Sequence, residues 1–239
     1  MSETQFINEG FIILRGTEKA VLSGTAKAKL YDFAEVELYD TASAVLHDSA
    51  YADLRDSASA VLHDTASADL FNSAFAELND SASAVLRDSA SASLRGTASA
   101  VLYNSASAVL HERAKSKLYR FASAELRDSA YAELRGSASA VLSGRAKARL
   151  ENSASAELND TASAVLFDTA SAVLYDTTAA VLRDTSSAVL YDAAAAELHD
   201  TASAVNFSRK VKSTTTGTSV VVDRSGRSFV QTSSGNIKL

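Results

Sequence analysis

The chain has no cysteine, no proline and no tryptophan, and its one methionine is Met1. Without cysteine there are no disulfides, thiolate metal sites or thiol nucleophiles, whatever the compartment. No apolar run approaches the roughly 20 residues that span a bilayer, so membrane insertion is not expected. The opening MSETQFINEGFIILRG lacks the basic start and apolar core of a signal peptide. The default expectation is a soluble protein, cytoplasmic or virion-associated. Glycine is also sparse, at nine residues.

What fills the chain is one eight-residue sentence. Residues 41–88 read TASAVLHD, SAYADLRD, SASAVLHD, TASADLFN, SAFAELND, SASAVLRD. The register holds without insertion from Glu9 to Asp200, which makes 24 octads. With Thr41 as position 1, position 6 is Leu in all 24, position 4 is Ala in 21 and position 2 is Ala in 20. Positions 3, 5 and 7 vary.

Fixed small or apolar residues at 2, 4 and 6 define a period of two, which is that of a strand with one face buried. Alanine and leucine are also good helix formers, but a helix fails on geometry. Eight residues at about 100° each leave the leucines drifting by about 80° per repeat, with no common face. Position 8 supplies a corner, being Asp 14 times, Gly five times and Asn three times. These residues tolerate a left-handed backbone. Strand plus corner without a break predicts an all-β fold, a β-solenoid whose rungs stack at roughly 4.8 Å.

Two alanines and one leucine per octad cannot fill the lumen of a three-sided coil, and empty space costs stability. A flattened two-sided coil fits, with two strands and 16 residues per rung. Position 3 agrees, being Ser in nine of the 12 octads that alternate from Glu9 and in four of the other 12. The expectation is therefore about 12 rungs, a rod of roughly 58 Å. Residues 1–16 are expected to form an N-terminal cap in which Phe6, Ile7, Phe11, Ile12 and Ile13 cover the first rung. Residues 17–205 are then the solenoid. Asn206 stands where Leu belongs and ends the pattern. Residues 206–239 form a basic tail of local charge +5, with a hairpin read at Val220 to Val222, a turn at Asp223 to Gly226, and Ser228 to Val230.

Ala52-Asp53-Leu54, Ala68-Asp69-Leu70 and Ala124-Glu125-Leu126 echo the core of pentapeptide-repeat proteins. The spacing of eight makes this a shared physical device and not membership of that family. The octad as a whole, over residues 9–205, is similar to octapeptide-repeat tracts of uncharacterised bacterial and phage proteins that are expected to be β-solenoids. No catalytic or binding motif travels with that resemblance.

Candidate chemistry lies on the variable columns. All four histidines (His47, His63, His111 and His199) fall at position 7. His47 and His63 would stack on adjacent rungs, but zinc wants three or four ligands, and no metal or other cofactor is expected. The Asp column invites a calcium reading, yet calcium-binding β-rolls are nonapeptide and glycine-dense, and the turn already accounts for Asp. Two basic islands, Arg113, Lys115, Lys117 and Arg120, then Arg145, Lys147 and Arg149, lie 32 residues apart. They could hold a phosphate, an acidic glycan or a partner's carboxylates, or only keep a sheet soluble. Val occupies outward position 5 in 11 octads, and Val45, Val61, Val109, Val141, Val173 and Val189 form a candidate assembly face. Regular Ser-rich faces raise ice binding, and an acidic body raises mimicry of nucleic acid, which the basic islands interrupt.

No Ser/His/Asp constellation stands out, so an enzyme is not expected. The expected role is structural: a rigid rod used as scaffold, spacer or fibre component, with a protein partner that is a second copy or an assembly component. The alternative is an adhesin-like, anion-binding or ice-binding module. Nucleic acid is not expected as a partner of the acidic body, and the basic tail is the candidate for contact with it.

Overall fold

A computed structural model describes residues 4–225 and 229–238. Gly226, Arg227 and Ser228, part of the expected hairpin and tail, lie outside the described residues. The secondary structure among the described residues is entirely β, and the fold is a two-sided β-solenoid. From Phe11–Leu14 to Ser203–Asn206 each strand occupies positions 3 to 6 of one octad. Strands eight residues apart fall in different sheets and strands 16 apart pair in parallel, as in Ser43–Leu46 beside Ser59–Leu62, with Ala44 opposite Ala60 and Leu46 opposite Leu62.

The chain divides into two compact units, Met1–Lys117 and Leu118–Leu239. In the first, one sheet runs from Gln5–Ile7 through Lys19–Leu22 and Glu35–Leu38 to Ser99–Leu102. The other runs from Phe11–Leu14 through Lys27–Leu30 to Ser107–Leu110. In the second unit, one sheet runs from Tyr131–Leu134 to Lys212–Thr215, and the other from Ser123–Leu126 to Val220–Asp223 and beyond. In each unit the sheet whose third positions are mainly Ser is called the serine sheet, and its counterpart the mixed sheet.

Every position-6 leucine from Leu14 to Leu198 is fully buried, and the alanines at positions 2 and 4 are buried beside them. The corner is a tight turn in which the position-2 N–H donates to the position-7 carbonyl, as from Ala50 to His47 at 3.2 Å. Position 8 takes a positive φ throughout, for example 58° at Asp48 and 57° at Asp56. Glu112 and Arg120 are held there too, at φ 58° and 62°.

The ends differ from the expectation. The N-terminal segment builds the first rung instead of covering it. Gln5–Ile7 pairs with Lys19–Leu22 and Phe11–Leu14 with Lys27–Leu30. Phe6 aligns with outward Val21, and Phe11 and Ile13 with outward Lys27 and Lys29, so all three face out. At the other end the coil does not stop at Asn206. Lys212–Thr215 pairs with Ala195–Leu198 and Val220–Asp223 with Ser203–Asn206, both offset by 17 residues. The ladder is made of backbone groups, so it survives loss of the leucine. Asn206 is buried, and its Oδ1 accepts the Ser208 N–H at 2.9 Å. Beyond it Phe229–Thr232 turns back antiparallel on Val220–Asp223, and Gly235–Lys238 pairs antiparallel on the outer edge of Phe229–Thr232.

Candidate functional site

The Asp column is a structural device. Along the column, position-8 carboxylates reach back one rung and accept the N–H of the position-8 residue there. Asp48 accepts from Asp32 at 3.1 Å, Asp64 from Asp48 at 3.1 Å and Asp168 from Asn152 at 2.9 Å. These acceptors satisfy donors that the turn leaves outside the ladder. Glu112 does the same for Gly96 at 3.1 Å. The spacing reveals the turn but not this bond, because its two partners are 16 residues apart. Among the described residues no group of three or more His, Cys, Asp or Glu side chains could hold a metal ion.

His47 and His63 do stack, with ring centroids 5.0 Å apart and planes 9° from parallel, and Tyr31 stacks on His47 at 5.2 Å. Parallel rings direct their nitrogen lone pairs side by side and not toward one point. Each Nδ1 instead faces a corner carboxylate, Asp64 at 3.8 Å and Asp80 at 3.9 Å. His199 contacts Glu197 at 3.0 Å and Thr216 at 2.9 Å. Position 7 is thus a ladder of stacked rings and cations, as where Arg55 and Arg87 flank Phe71 at 5.4 and 5.1 Å.

The basic islands separate by position. Arg113, Arg120 and Arg145 sit at corners, whereas Lys115, Lys117, Lys147 and Arg149 point outward from strands. Within the second unit Arg149 is engaged, bonding Glu151 at 2.6 Å and covering the Phe167 ring at 4.1 Å. Lys147 is exposed and has no ion-pair partner among the described residues. The register carries its column through Ser163, Ala179 and Ala195 to Lys212. A groove of about 900 Å³ runs along this face, lined by Ala164, Val165, Ala180, Val181 and both lysines. The one-residue insertion before Lys212 hides this alignment from any count by eights.

The same outer columns hold perturbed tyrosines. Burial pushes the Tyr51 phenol up to about 12, with Asp69 and Asp53 adding to the effect. Burial and then Glu133 raise Tyr131. Tyr39 is raised chiefly by its hydrogen bond to Glu37, at 2.8 Å.

All six valines of the candidate assembly face lie on serine sheets. Val45, Val61 and Val109 belong to the first unit, and Val141, Val173 and Val189 to the second. Five are half-buried and Val141 is exposed. In the first unit Val45 and Val61 line a groove of about 320 Å³ with Phe11 and Phe75. In the second a groove of about 610 Å³ is lined by Ser171, Val173, Ser187, Val189, Ser203 and Val205. Its one charged lining residue is Glu157.

Comparison with protein-family models, with curated protein sequences and with solved structures returned no match. The class of the fold, a two-sided β-solenoid, is defined by the chain's own geometry.

Proposed function

We propose that the chain is a non-enzymatic structural or assembly protein, whose coil serves as a scaffold, spacer or fibre component. Its protein partner, a second copy or another assembly component, packs on the serine sheet. The observation that carries this reading is the continuous Ser and Val surface of the second unit, Ser171/Val173, Ser187/Val189 and Ser203/Val205 on three successive strands. A charge-poor apolar strip of this kind is typical of surfaces that contact something. The backbone beneath it is already paired, so the face offers side-chain packing and not catalysis.

One observation favours a second reading, an anion-binding face. Lys147 and Lys212 stand four rungs apart in one column, roughly 19 Å at the ordinary strand spacing, with small side chains between them. The two readings part in mutants. Val173→Lys with Val189→Lys should abolish self-association or partner capture in light scattering and leave anion binding unchanged. Lys147→Glu with Lys212→Glu should do the reverse. If folded forms of both variants behave as the parent, neither face is the site.

A further inference from the structure

We infer that the outer face of the serine sheet in the first unit docks a second copy of this chain, the two coils packing side by side and running in opposite directions. The inference rests on the assembly reading above, but it names the occupant and uses a face other than the valine strip of the second unit. On successive strands from Phe11–Leu14 to Ser91–Leu94, position 3 reads Phe11, Lys27, Ser43, Ser59, Phe75 and Ser91. Position 5 reads Ile13, Lys29, Val45, Val61, Glu77 and Ser93 on the same strands. Phe11 is 63% exposed, Ile13 48% and Phe75 39%. The two phenylalanines stand at either end of the groove of about 320 Å³ that Val45 and Val61 line. Exposed apolar side chains gathered on one face mark a contact surface.

The occupant follows from the charges and sizes in these two columns. Lys29 and Glu77 lie three rungs apart, roughly 14 Å at the ordinary strand spacing, which is too far for them to pair within one copy. Neither has an ion-pair partner among the described residues. Two identical faces meet about a two-fold axis that lies between them. With that axis along the strands, midway between Ser43–Leu46 and Ser59–Leu62, the rung order of the second copy is reversed. Lys29 of each copy then faces Glu77 of the other, and Lys27 faces the Phe75 ring, a favourable site for a cation. Phe11 and Ile13, a bulky pair, face the small pair Ser91 and Ser93, and Ser93 is the one serine at position 5 in the 24 octads. Val45 faces Val61 at the centre. The face is thus complementary to its own reversed copy in charge and in size. With the axis along the coil instead, Lys27 of each copy faces Lys29 of the other, and like charges repel. At the rim of the reversed arrangement Arg15 comes opposite Arg95, but both are exposed at solvated corners, where salt screens them.

Six strands at roughly 4.8 Å, each contributing about six residues, give a face of about 29 Å by 20 Å. The two copies then bury about 1,150 Å² together, near the lower bound of specific interfaces. Such an area fits a reversible dimer.

The test is sedimentation velocity on the full chain from about 1 to 100 μM, with circular dichroism to establish that each variant is folded. A monomer–dimer equilibrium is expected for the parent. Lys29→Glu alone, and Glu77→Lys alone, should each raise the dissociation constant about tenfold or more, because each places two like-charge pairs in the contact. Lys29→Glu with Glu77→Lys should return it to within about threefold of the parent. Ser93→Phe should weaken the dimer as the single charge reversals do, by closing the space opposite Ile13. A parent that stays monomeric throughout, or a dimer indifferent to the single reversals, overturns the proposal. Weakening by both single reversals without recovery in the double variant overturns the reversed packing. A dimer indifferent to the charge variants but lost in Val173→Lys with Val189→Lys assigns self-association to the second unit, which overturns this proposal and leaves the assembly reading standing.

Discussion

Replacing Asp48 separates the two jobs of a corner residue. Its backbone sits at φ 58°, and its carboxylate accepts the Asp32 N–H at 3.1 Å. Asparagine keeps both, since Asn152 stands in the same position and accepts from Gly136 at 3.3 Å. Asp48→Asn should therefore cost under about 0.5 kcal/mol. Glycine loses the acceptor but takes the backbone without strain, which predicts a loss of about 0.5–1.5 kcal/mol, offset by the relief of strain. Alanine loses the acceptor and holds the left-handed backbone, a strain of about 1–2 kcal/mol that glycine escapes, so Asp48→Ala should be less stable than the glycine variant by about that amount. Urea unfolding followed by circular dichroism ranks the three. A repeat array need not unfold in one step, so amide exchange at Asp32 gives the local reading. That amide should lose protection in the Gly and Ala variants and keep it in the Asn variant. Equal losses for Gly and Ala would show that backbone handedness is not what selects Asp, Asn and Gly there. An unchanged Asp32 amide would remove the inter-rung bond from the account.

Other substitutions test the core and the outer columns. Ser186 is fully buried where 20 octads carry Ala, and its hydroxyl has no hydrogen-bond partner; Ser186→Ala should stabilise by about 1–2 kcal/mol in urea titration, and a loss of stability would mean that the hydroxyl is satisfied after all. A Cβ at Gly96 would sit 2.9 Å from the Asp80 carbonyl oxygen and 3.2 Å from its Cα. Gly96→Asp should thus lower stability by about 1–3 kcal/mol in thermal melts, although Asp is the commonest residue at that position; a melt equal to the parent's would refute the close approach. Tyr51 holds its proton to about pH 12 in the folded chain against about pH 10 when unfolded. The folded state then binds more protons between those values, so stability falls as pH rises from about 10 to about 12. Tyrosinate absorbance should show a component near pH 12 that shrinks by one tyrosine in Tyr51→Phe, while the raised Tyr39 and Tyr131 still titrate late; an unchanged amplitude near pH 12 in that variant would place the raised group elsewhere.

The body of the fold is legible because the octad states each structural requirement separately. Leu46 and its 23 counterparts mark the inside, Asp48 and its counterparts mark the corner, and the small core volume selects two sides over three. The ends are less legible, because there the repeat no longer identifies which side chains face in. The register of Gln5–Ile7 against Lys19–Leu22 turns Phe6 outward, and composition alone reads the same phenylalanine as a cover. Asn206 interrupts the side-chain pattern without interrupting the backbone ladder, so the coil runs past a point where the sequence looks finished. Lys212 joins the column of Lys147 only across an added residue. The bond from Asp48 to Asp32 and the stacking of His47 on His63 both link residues 16 apart, which become neighbours only once the rung length is known.

That rung length also separates what the coil needs from what it does not. Strands alternate between sheets every eight residues, so any feature required for folding must recur every eight, as Leu46, Leu54 and Leu62 do. A feature that recurs every 16 appears on one sheet only and is surplus to the coil. Serine at position 3 behaves in this second way, with nine instances against four in the two alternating sets of octads. In the second unit it runs unbroken on one sheet through Ser123, Ser139, Ser155, Ser171, Ser187 and Ser203. Strand propensity cannot account for this, because the opposite sheet makes the same ladder with Lys147, Ala179 and Ala195 in the equivalent places. The second unit thus carries a small, uniform outer surface on one sheet only, and the partner contact proposed above rests on that sheet.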